Sequence, residues 1–72
     1  MSEYRVGEIW IVGWDYVKDF PCIIKRSDFN EHIVVQRLNE NGGEHYLTKD
    51  NFKKFIGTDW EQAKKENSIY FI

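Results

Sequence analysis

The amino-acid sequence predicts a single small, mainly β domain whose strands curl into a barrel. Four runs rich in β-branched and aromatic residues lie between residues 6 and 47, and turn-forming residues separate them. The chain has 72 residues, which allow one domain with one small core over residues 1–72. Aromatic residues make up 17% of the chain, and their large side chains compensate for its short length.

The first two strands follow from apolar runs. Residues 6–14 alternate between two apolar sets, one containing Ile9 and the other Trp10, so we expect a strand that is covered on both faces. A loop follows, and the second strand is predicted over residues 20–25. Pro21 stands near the start of this strand, where a missing N–H disturbs the pairing least.

The third and fourth strands are predicted over residues 32–38 and 44–47, and a polar turn at residues 27–31 precedes them. Asn41 and Gly42 give the strongest turn signal in the chain, because this pair tolerates the positive φ angles of a tight hairpin. We therefore expect these two strands to pair through a two-residue turn.

The tight hairpin predicts how the strands pair. His45 then faces Arg37 or Leu38 on the third strand. The apolar residues divide between two sheet faces, with Cys22, Ile24, Val34 and Leu38 on one and Ile23, Ile33, Val35 and Leu47 on the other. A barrel encloses only one of these sets. The other is expected to be covered by the C-terminal segment, by a second copy of the chain or by another protein.

The C-terminal part is predicted to close the sheet and to cover part of it. Thr48 is expected to cap a single helical turn before a short strand over residues 54–56. Thr58 and Glu61 have the spacing of a capping box, which predicts a short helix that ends near residue 66. Residues 69–72 are apolar and are expected to pack on the sheet, with a terminal sixth strand as one form of that packing.

The order of these elements resembles an SH3-like five-stranded barrel with a short C-terminal helix, and a sandwich or an α+β roll is the alternative. The segments VGEIWIV at residues 6–12, FPCII at 20–24, SD at 27–28 and HIVV at 32–35 resemble the first half of MazF-type endoribonuclease toxins, which share that fold. That family has a catalytic arginine just before the proline of its second strand, where this chain has Phe20. It also continues well beyond 72 residues, so the resemblance implies the fold more than the activity.

No set of residues predicts catalysis. The serine and threonine hydroxyls each have a turn, cap or terminus explanation, and no phosphate-binding glycine motif is present. Cys22, His32 and His45 are the candidate metal ligands, but the hairpin register separates the two histidines by roughly 16–20 Å along the strand. We therefore expect no enzyme activity, no catalytic residue, no metal and no cofactor.

Charge and cysteine content predict the setting. The net charge of -2 argues against binding nucleic acid by electrostatics alone. A single cysteine cannot form an intrachain disulfide, which favours a reducing, cytoplasmic location. The first residues lack the apolar run of a secretory signal, and no stretch approaches the ~20 apolar residues of a membrane span.

The predicted contact site is a set of aromatic residues, Trp14, Tyr16 and Tyr46, edged by Arg37. The first loop and the third and fourth strands border one end of an SH3-like barrel, and Tyr and Trp are favoured interface anchors. We expect a non-catalytic module that binds another protein, with a second copy of the chain as a further candidate partner. Such modules are typical of phage or mobile-element accessory proteins that inhibit or modulate a host protein.

Two alternatives to protein binding stay open. A small barrel can bind single-stranded nucleic acid with cations on neighbouring strands and aromatic rings as stacking platforms. The cations available for this are Lys25, Arg26, Arg37, Lys53 and Lys54. The second alternative is a remnant of a MazF-like endoribonuclease.

Overall fold

The chain forms one antiparallel sheet with a short helix on one of its faces. The computed structural model describes residues 4–27, 32–38 and 43–71. The strands are β1 (Ile9–Trp14), β2 (Val17–Ser27), β3 (Ile33–Arg37), β4 (Glu44–Leu47) and β5 (Phe52–Gly57), and the helix is α1 (Trp60–Glu66). Short 3-10 turns occupy Lys49–Asn51 before β5 and Ser68–Tyr70 after α1.

The strands lie side by side in the order β4-β3-β2-β1-β5. This arrangement confirms the predicted mainly β class, with five antiparallel strands and a short C-terminal helix. Over the described ranges β4 and β5 do not pair, so the sheet stays open between its two edges. β4 spans the predicted residues, whereas β2 is longer than predicted because its pairing with β1 continues up to the turn at residues 15–16.

The β1 strand is buried on both faces, as its apolar alternation predicts. Ile9 and Ile11 are 0% and 1% exposed on one face, and Val12 is 0% exposed on the other. β1 pairs with both β2 and β5. Gly13 lies at an irregularity in the pairing with β2, where a Cβ would run into the carboxylate of Asp19. Asp19 is exposed, so its carboxylate occupies the space that the glycine leaves at this bulge and can turn out of it.

Two hydrophobic cores lie on opposite faces of the sheet. The first core contains Val12, Phe20, Cys22, Ile24, Ile33, Val35 and Leu47. The second core contains Ile9, Ile11, Ile56 and Ala63, with Ile23, Leu38, Tyr70 and Phe71 packed against it. The C-terminal segment is thus one of the three expected coverings, and it covers part of the second face.

The pairing of β3 with β4 shows that the predicted register is wrong. His45 lies opposite Val35, and neither Arg37 nor Leu38 faces it. In the observed register Val35 and Leu47 both reach the first core. The prediction also places these two residues on one face, so the registers differ in how far β4 is offset along β3 and not in which of these side chains are buried together.

The connection between β3 and β4 is longer than a two-residue turn. The N–H of Arg37 donates to the carbonyl of Gly43 at 3.0 Å, so residues 38–42 remain between the paired ends. The predicted tight turn at Asn41-Gly42 lies outside the described residues. Most of the polar turn predicted at residues 27–31 lies outside them too.

The predicted division of apolar residues between the two faces is wrong for β2. Ile24 lies opposite Val35 in the pairing of β2 with β3, and residues directly opposite each other share a face. Cys22 and Ile24 therefore lie in the first core together with Ile33, Val35 and Leu47, three residues that the prediction correctly places on one face. The error lies in the offset of β2 against β3, since a shift by one residue moves every side chain of a strand to the other face.

The α1 helix begins with an aspartate cap. The carboxylate of Asp59 accepts a hydrogen bond from the N–H of Gln62 at 3.1 Å, and the backbone of Asp59 is extended. The predicted capping box of Thr58 and Glu61 is therefore wrong, because the cap lies one residue later. Thr48 precedes the 3-10 turn Lys49–Asn51, as predicted.

The end of the chain packs on the sheet without adding a strand. Ser68–Tyr70 is a 3-10 turn, so the predicted sixth strand is wrong for the described residues, which end at residue 71. Tyr70 and Phe71 pack against the second core, whereas Ile69 is 68% exposed. None of the helices within the described ranges is long and apolar enough to cross a membrane.

Candidate binding groove

The four residues of the predicted contact site lie in different places. Trp14 and Arg37 lie on either side of Phe20: the Trp14 and Phe20 ring centroids are 5.6 Å apart, and Cζ of Arg37 is 4.3 Å from the Phe20 centroid. Tyr16 is 98% exposed in the turn between β1 and β2. Tyr46 is 68% exposed on β4.

Strand alternation separates Tyr46 from the other aromatic residues. The ring of His45 packs against Trp14 and Phe20 at centroid distances of 5.9 and 5.6 Å. Successive side chains of a strand point to opposite faces, so Tyr46 points away from this group. The structure therefore brings Trp14 and Arg37 together around Phe20 and leaves Tyr46 on the other face of the sheet.

A groove of about 670 Å³ lies between the sheet and the C-terminal segment. β2 and β3 supply one side of it, and α1 with the turn that follows supplies the other. The lining residues are Phe20, Pro21, Ile23, Lys25, Gln36, Arg37, Leu38, Trp60, Lys64, Tyr70 and Phe71. The groove is the part of the second face that the C-terminal segment leaves uncovered.

The lining of this groove carries positive charge. It contains Lys25, Arg37 and Lys64, and no acidic side chain of the described residues lines it. A second cavity of about 580 Å³, on the β5 side of α1, mixes Lys54 with Asp59 and Glu66. The excess of positive charge is therefore a property of this groove and not of the whole surface around α1.

The wall of the groove is aromatic. The rings of Trp60 and Phe71 are in contact, with centroids 4.8 Å apart, and Trp60 keeps 37% of its surface exposed. Nζ of Lys64 lies 6.0 Å from the Trp60 centroid, within the range of a cation–π contact. Exposed aromatic surface beside a cation is the kind of surface that anchors protein ligands.

Arg37 has an unused hydrogen-bond donor. Its Nε is buried and has no hydrogen-bond partner within the described part of the chain. The stacking on Phe20 holds the guanidinium in place, because that ring is itself 4% exposed and packed in the first core. The Phe20 ring therefore fixes the guanidinium on the side of the first core, beside the groove that Arg37 helps to line.

A row of aromatic rings forms a second surface, on the opposite side of β1 and β5. Tyr4, Trp10, Phe52 and Phe55 contact one another with centroid distances between 4.7 and 5.5 Å. Phe55 is 48% exposed. The exposed Lys53 and Lys54 belong to the same strand, so the edge of the sheet combines rings with positive charge.

The candidate metal ligands do not form a cluster in the described residues. No group of three or more His, Cys, Asp or Glu side chains that could hold a metal ion occurs there. Burial raises the pKa of the Cys22 thiol to about 12, because an apolar environment disfavours the thiolate. Thiolate is the form that binds metals and attacks electrophiles, so Cys22 acts as a small apolar core residue.

Sequence reasoning missed the C-terminal side of the groove. It predicted the short helix but did not combine Trp60 with Lys64, one helical turn away, or with Phe71. The signal that could have found the site is the spacing of Trp60 and Lys64 on a short helix after an apolar sheet.

No protein-family model matches this chain, and no curated protein or solved structure shows significant similarity to it.

Proposed function

We propose that this protein is a small non-catalytic binding module that acts through contact with another protein, and that the groove beside α1 is its contact surface. One observation carries the proposal: aromatic side chains and three cations line the same groove, without an acidic residue among the described ones. Trp, Tyr and Arg are the residue types that most often dominate binding energy at interfaces. The volume of about 670 Å³ lies within the ~300–1,000 Å³ of ligand pockets.

We include the fold relationship, the cellular location and the biological role of the module in the same proposal. The element order supports a relationship to SH3-like barrels, although the described sheet stays open between β4 and β5. A cytoplasmic location and a role in modulating a host protein, as in phage or mobile-element accessory proteins, are consistent with a single buried cysteine and a short chain.

The test uses two neighbouring lysines of α1. Lys64 lines the groove, whereas Lys65 does not, and both are exposed. The wild-type chain, Lys64→Glu and Lys65→Glu are each immobilised and exposed to nuclease-treated lysate, and the bound proteins are identified by mass spectrometry. We expect the wild type and Lys65→Glu to capture the same proteins in similar amounts, and Lys64→Glu to capture smaller amounts of them. Equal capture by all three chains would contradict the assignment to the groove.

The predicted site of Trp14, Tyr16, Tyr46 and Arg37 stays a prediction, and it gives the same experiment a second arm. Tyr16→Ala and Tyr46→Ala remove exposed side chains, so both variants should keep the melting temperature of the parent. Loss of the captured proteins with either variant, by more than about 1 kcal/mol in binding free energy, would place the contact at the first loop or at β4.

Nucleic-acid binding is the second candidate function, and the aromatic row of Tyr4, Trp10, Phe52 and Phe55 favours it. Partly exposed rings beside Lys53 and Lys54 match the stacking platforms that bind single strands. Titration with single-stranded RNA at rising salt tests this candidate: a steep loss of affinity with salt is expected, and it should be reduced in Phe55→Ala. Cleavage of that RNA would instead support the MazF-like alternative, for which Phe20 replaces the catalytic arginine.

A further inference from the structure

We infer that the groove beside α1 takes an acidic peptide segment that carries one large apolar side chain. The acidic residues of the peptide face Lys25, Arg37 and Lys64, and its apolar side chain lies against Trp60 and Phe71. This inference rests on the proposed function and names the chemistry of the partner at that same groove.

The charge of the groove calls for an anion. Lys25 comes from β2, Arg37 from β3 and Lys64 from α1, so three separate elements direct cations to one groove. No described acidic side chain among the lining residues neutralises them. Complementary charge across an interface raises the rate of encounter and suppresses wrong partners. A segment rich in Asp and Glu satisfies that requirement.

Arg37 favours a carboxylate in particular. A guanidinium presents its N–H donors in a planar fork that matches the two oxygens of a carboxylate. The Phe20 ring, 4.3 Å from Cζ, holds this fork in place, so little side-chain freedom is lost when a ligand binds. The Nε atom is buried, so a ligand would bind the outer N–H groups of this partly exposed side chain.

The aromatic wall requires an apolar anchor on the same ligand. Trp60 is 37% exposed and contacts Phe71, and the sheet side of the groove offers Ile23 and Leu38, both partly buried. Covering this surface with a large apolar side chain is favourable by about 25 cal/mol for each Å² removed from water. A fully polar acidic segment would leave that surface in water.

A peptide fits the groove better than a nucleic acid does. Outside the groove, exposed acidic and basic side chains are mixed, and α1 carries Glu61 and Glu66 as exposed side chains beside Lys65. The whole chain has a net charge of -2. An extended polyanion would run past the groove over this acidic surface and be repelled, whereas a short acidic peptide ends within it.

The experiment selects ligands without assuming their sequence. A random library of short peptides displayed on phage is selected on the immobilised full chain, and the strongest binder is synthesised with a fluorescent label. Its Kd is measured by fluorescence anisotropy for the wild type, Lys64→Glu and Lys65→Glu. We expect enriched Asp or Glu around one aromatic or aliphatic residue. We also expect a loss of at least about tenfold in affinity with Lys64→Glu and a change below about twofold with Lys65→Glu.

The possible results distinguish failure of the inference from failure of the proposed function. Peptides in which one acidic residue at a time is replaced by lysine should include one that binds Lys64→Glu more tightly, and the wild type more weakly, than the selected peptide does. Selected peptides without acidic residues, or equal affinities for the three chains, would overturn the inference and leave protein binding standing. Failure to select any peptide, together with binding of poly-uridylate RNA, would overturn both. Failure to bind either probe would overturn the inference.

Discussion

At the scale of single residues, the surroundings of a side chain decide its chemistry. Cys22 is the chain's one cysteine, and it is 0% exposed in the first core. Arg37 lies on the Phe20 ring and carries an unpaired Nε among the described groups. The residue types were visible in the sequence, but their roles depend on neighbours that come from other strands.

The thiol of Cys22 should be inert in the folded protein. Burial raises its pKa from 9.0 to about 12, so near pH 8 the folded chain should react with a disulfide reagent at least about a hundredfold more slowly than the unfolded chain. Absorbance of the released chromophore, with and without urea, measures the difference. Equal rates would mean that Cys22 is accessible.

The same pKa shift predicts a loss of stability at high pH. The unfolded thiol ionises near 9.0 and the folded thiol near 12, so the unfolded state releases its proton first. The stabilising contribution is therefore complete below 9.0 and is lost as the pH rises towards 12. Urea midpoints at neutral pH and at about pH 10 should differ less in Cys22→Ala than in the wild type. An equal fall of the urea midpoint in the wild type and in Cys22→Ala would show that other ionisable groups cause the loss of stability.

Gly13 should accept alanine at a small cost. A Cβ at this position meets the carboxylate end of Asp19, an exposed side chain that can turn away, so Gly13→Ala is expected to cost no more than about 1 kcal/mol of unfolding free energy. A small domain loses about 4–8 °C in melting temperature for each kcal/mol, which circular dichroism measures easily. Gly43→Ala is the control, since nothing lies within 4 Å of a Cβ there. A much lower melting temperature for Gly13→Ala would show that the Asp19 carboxylate is held in place at the bulge.

At the scale of elements, a local signal does not by itself set how strands are offset or where a helix begins. The Asn41-Gly42 pair predicts that His45 faces Arg37 or Leu38, yet His45 lies opposite Val35. The position of a helix cap likewise depends on which side chain accepts a hydrogen bond from a free N–H group of the first turn. Thr58 has the spacing of a capping box, but Asp59 accepts the bond from Gln62.

The cap of α1 should depend on Asp59 and not on Thr58. Asp59→Ala removes the acceptor for the Gln62 N–H and is expected to cost about 1 kcal/mol, or several degrees in melting temperature. Thr58→Ala should stay within about 0.5 kcal/mol of the parent, because Thr58 is exposed and does not cap the helix. A larger effect of Thr58→Ala would restore the capping box that the sequence predicts.

At the scale of the whole molecule, one sheet is covered on both faces. The first core fills one face with residues of β1 to β4, and the C-terminal segment covers β1 and β5 on the other. What remains uncovered over β2 and β3 is the candidate groove. The candidate groove is therefore the part of the second face that the described residues of the C-terminal segment leave uncovered.

The C-terminal segment should contribute to the stability of the whole domain. Phe71 packs against the second core and Trp60, so Phe71→Ala is expected to cost about 2 kcal/mol, roughly half the loss for a fully buried Phe. Ile69 is 68% exposed, so Ile69→Ala should have little effect and serves as the control. Thermal melts of the two variants compare them directly. An unchanged melting curve for Phe71→Ala would show that the segment is not part of the cooperative fold.

The sequence by itself determined the strands, the turn before β5 and the position of α1, because these depend on alternation and helix-start signals that neighbouring residues carry. β1 was identified as doubly covered from the apolar residues on both of its faces, and Ile9 and Val12 confirm it. The tertiary structure decided the register of β3 and β4, the division of residues between the cores and the groove. These depend on which strands meet and at what offset, as where Ile24 of β2 lies opposite Val35 of β3, and no run of neighbouring residues carries that information. Lys25, Arg37 and Lys64 are far apart in the chain, so only the packing of α1 on the sheet brings them to one groove.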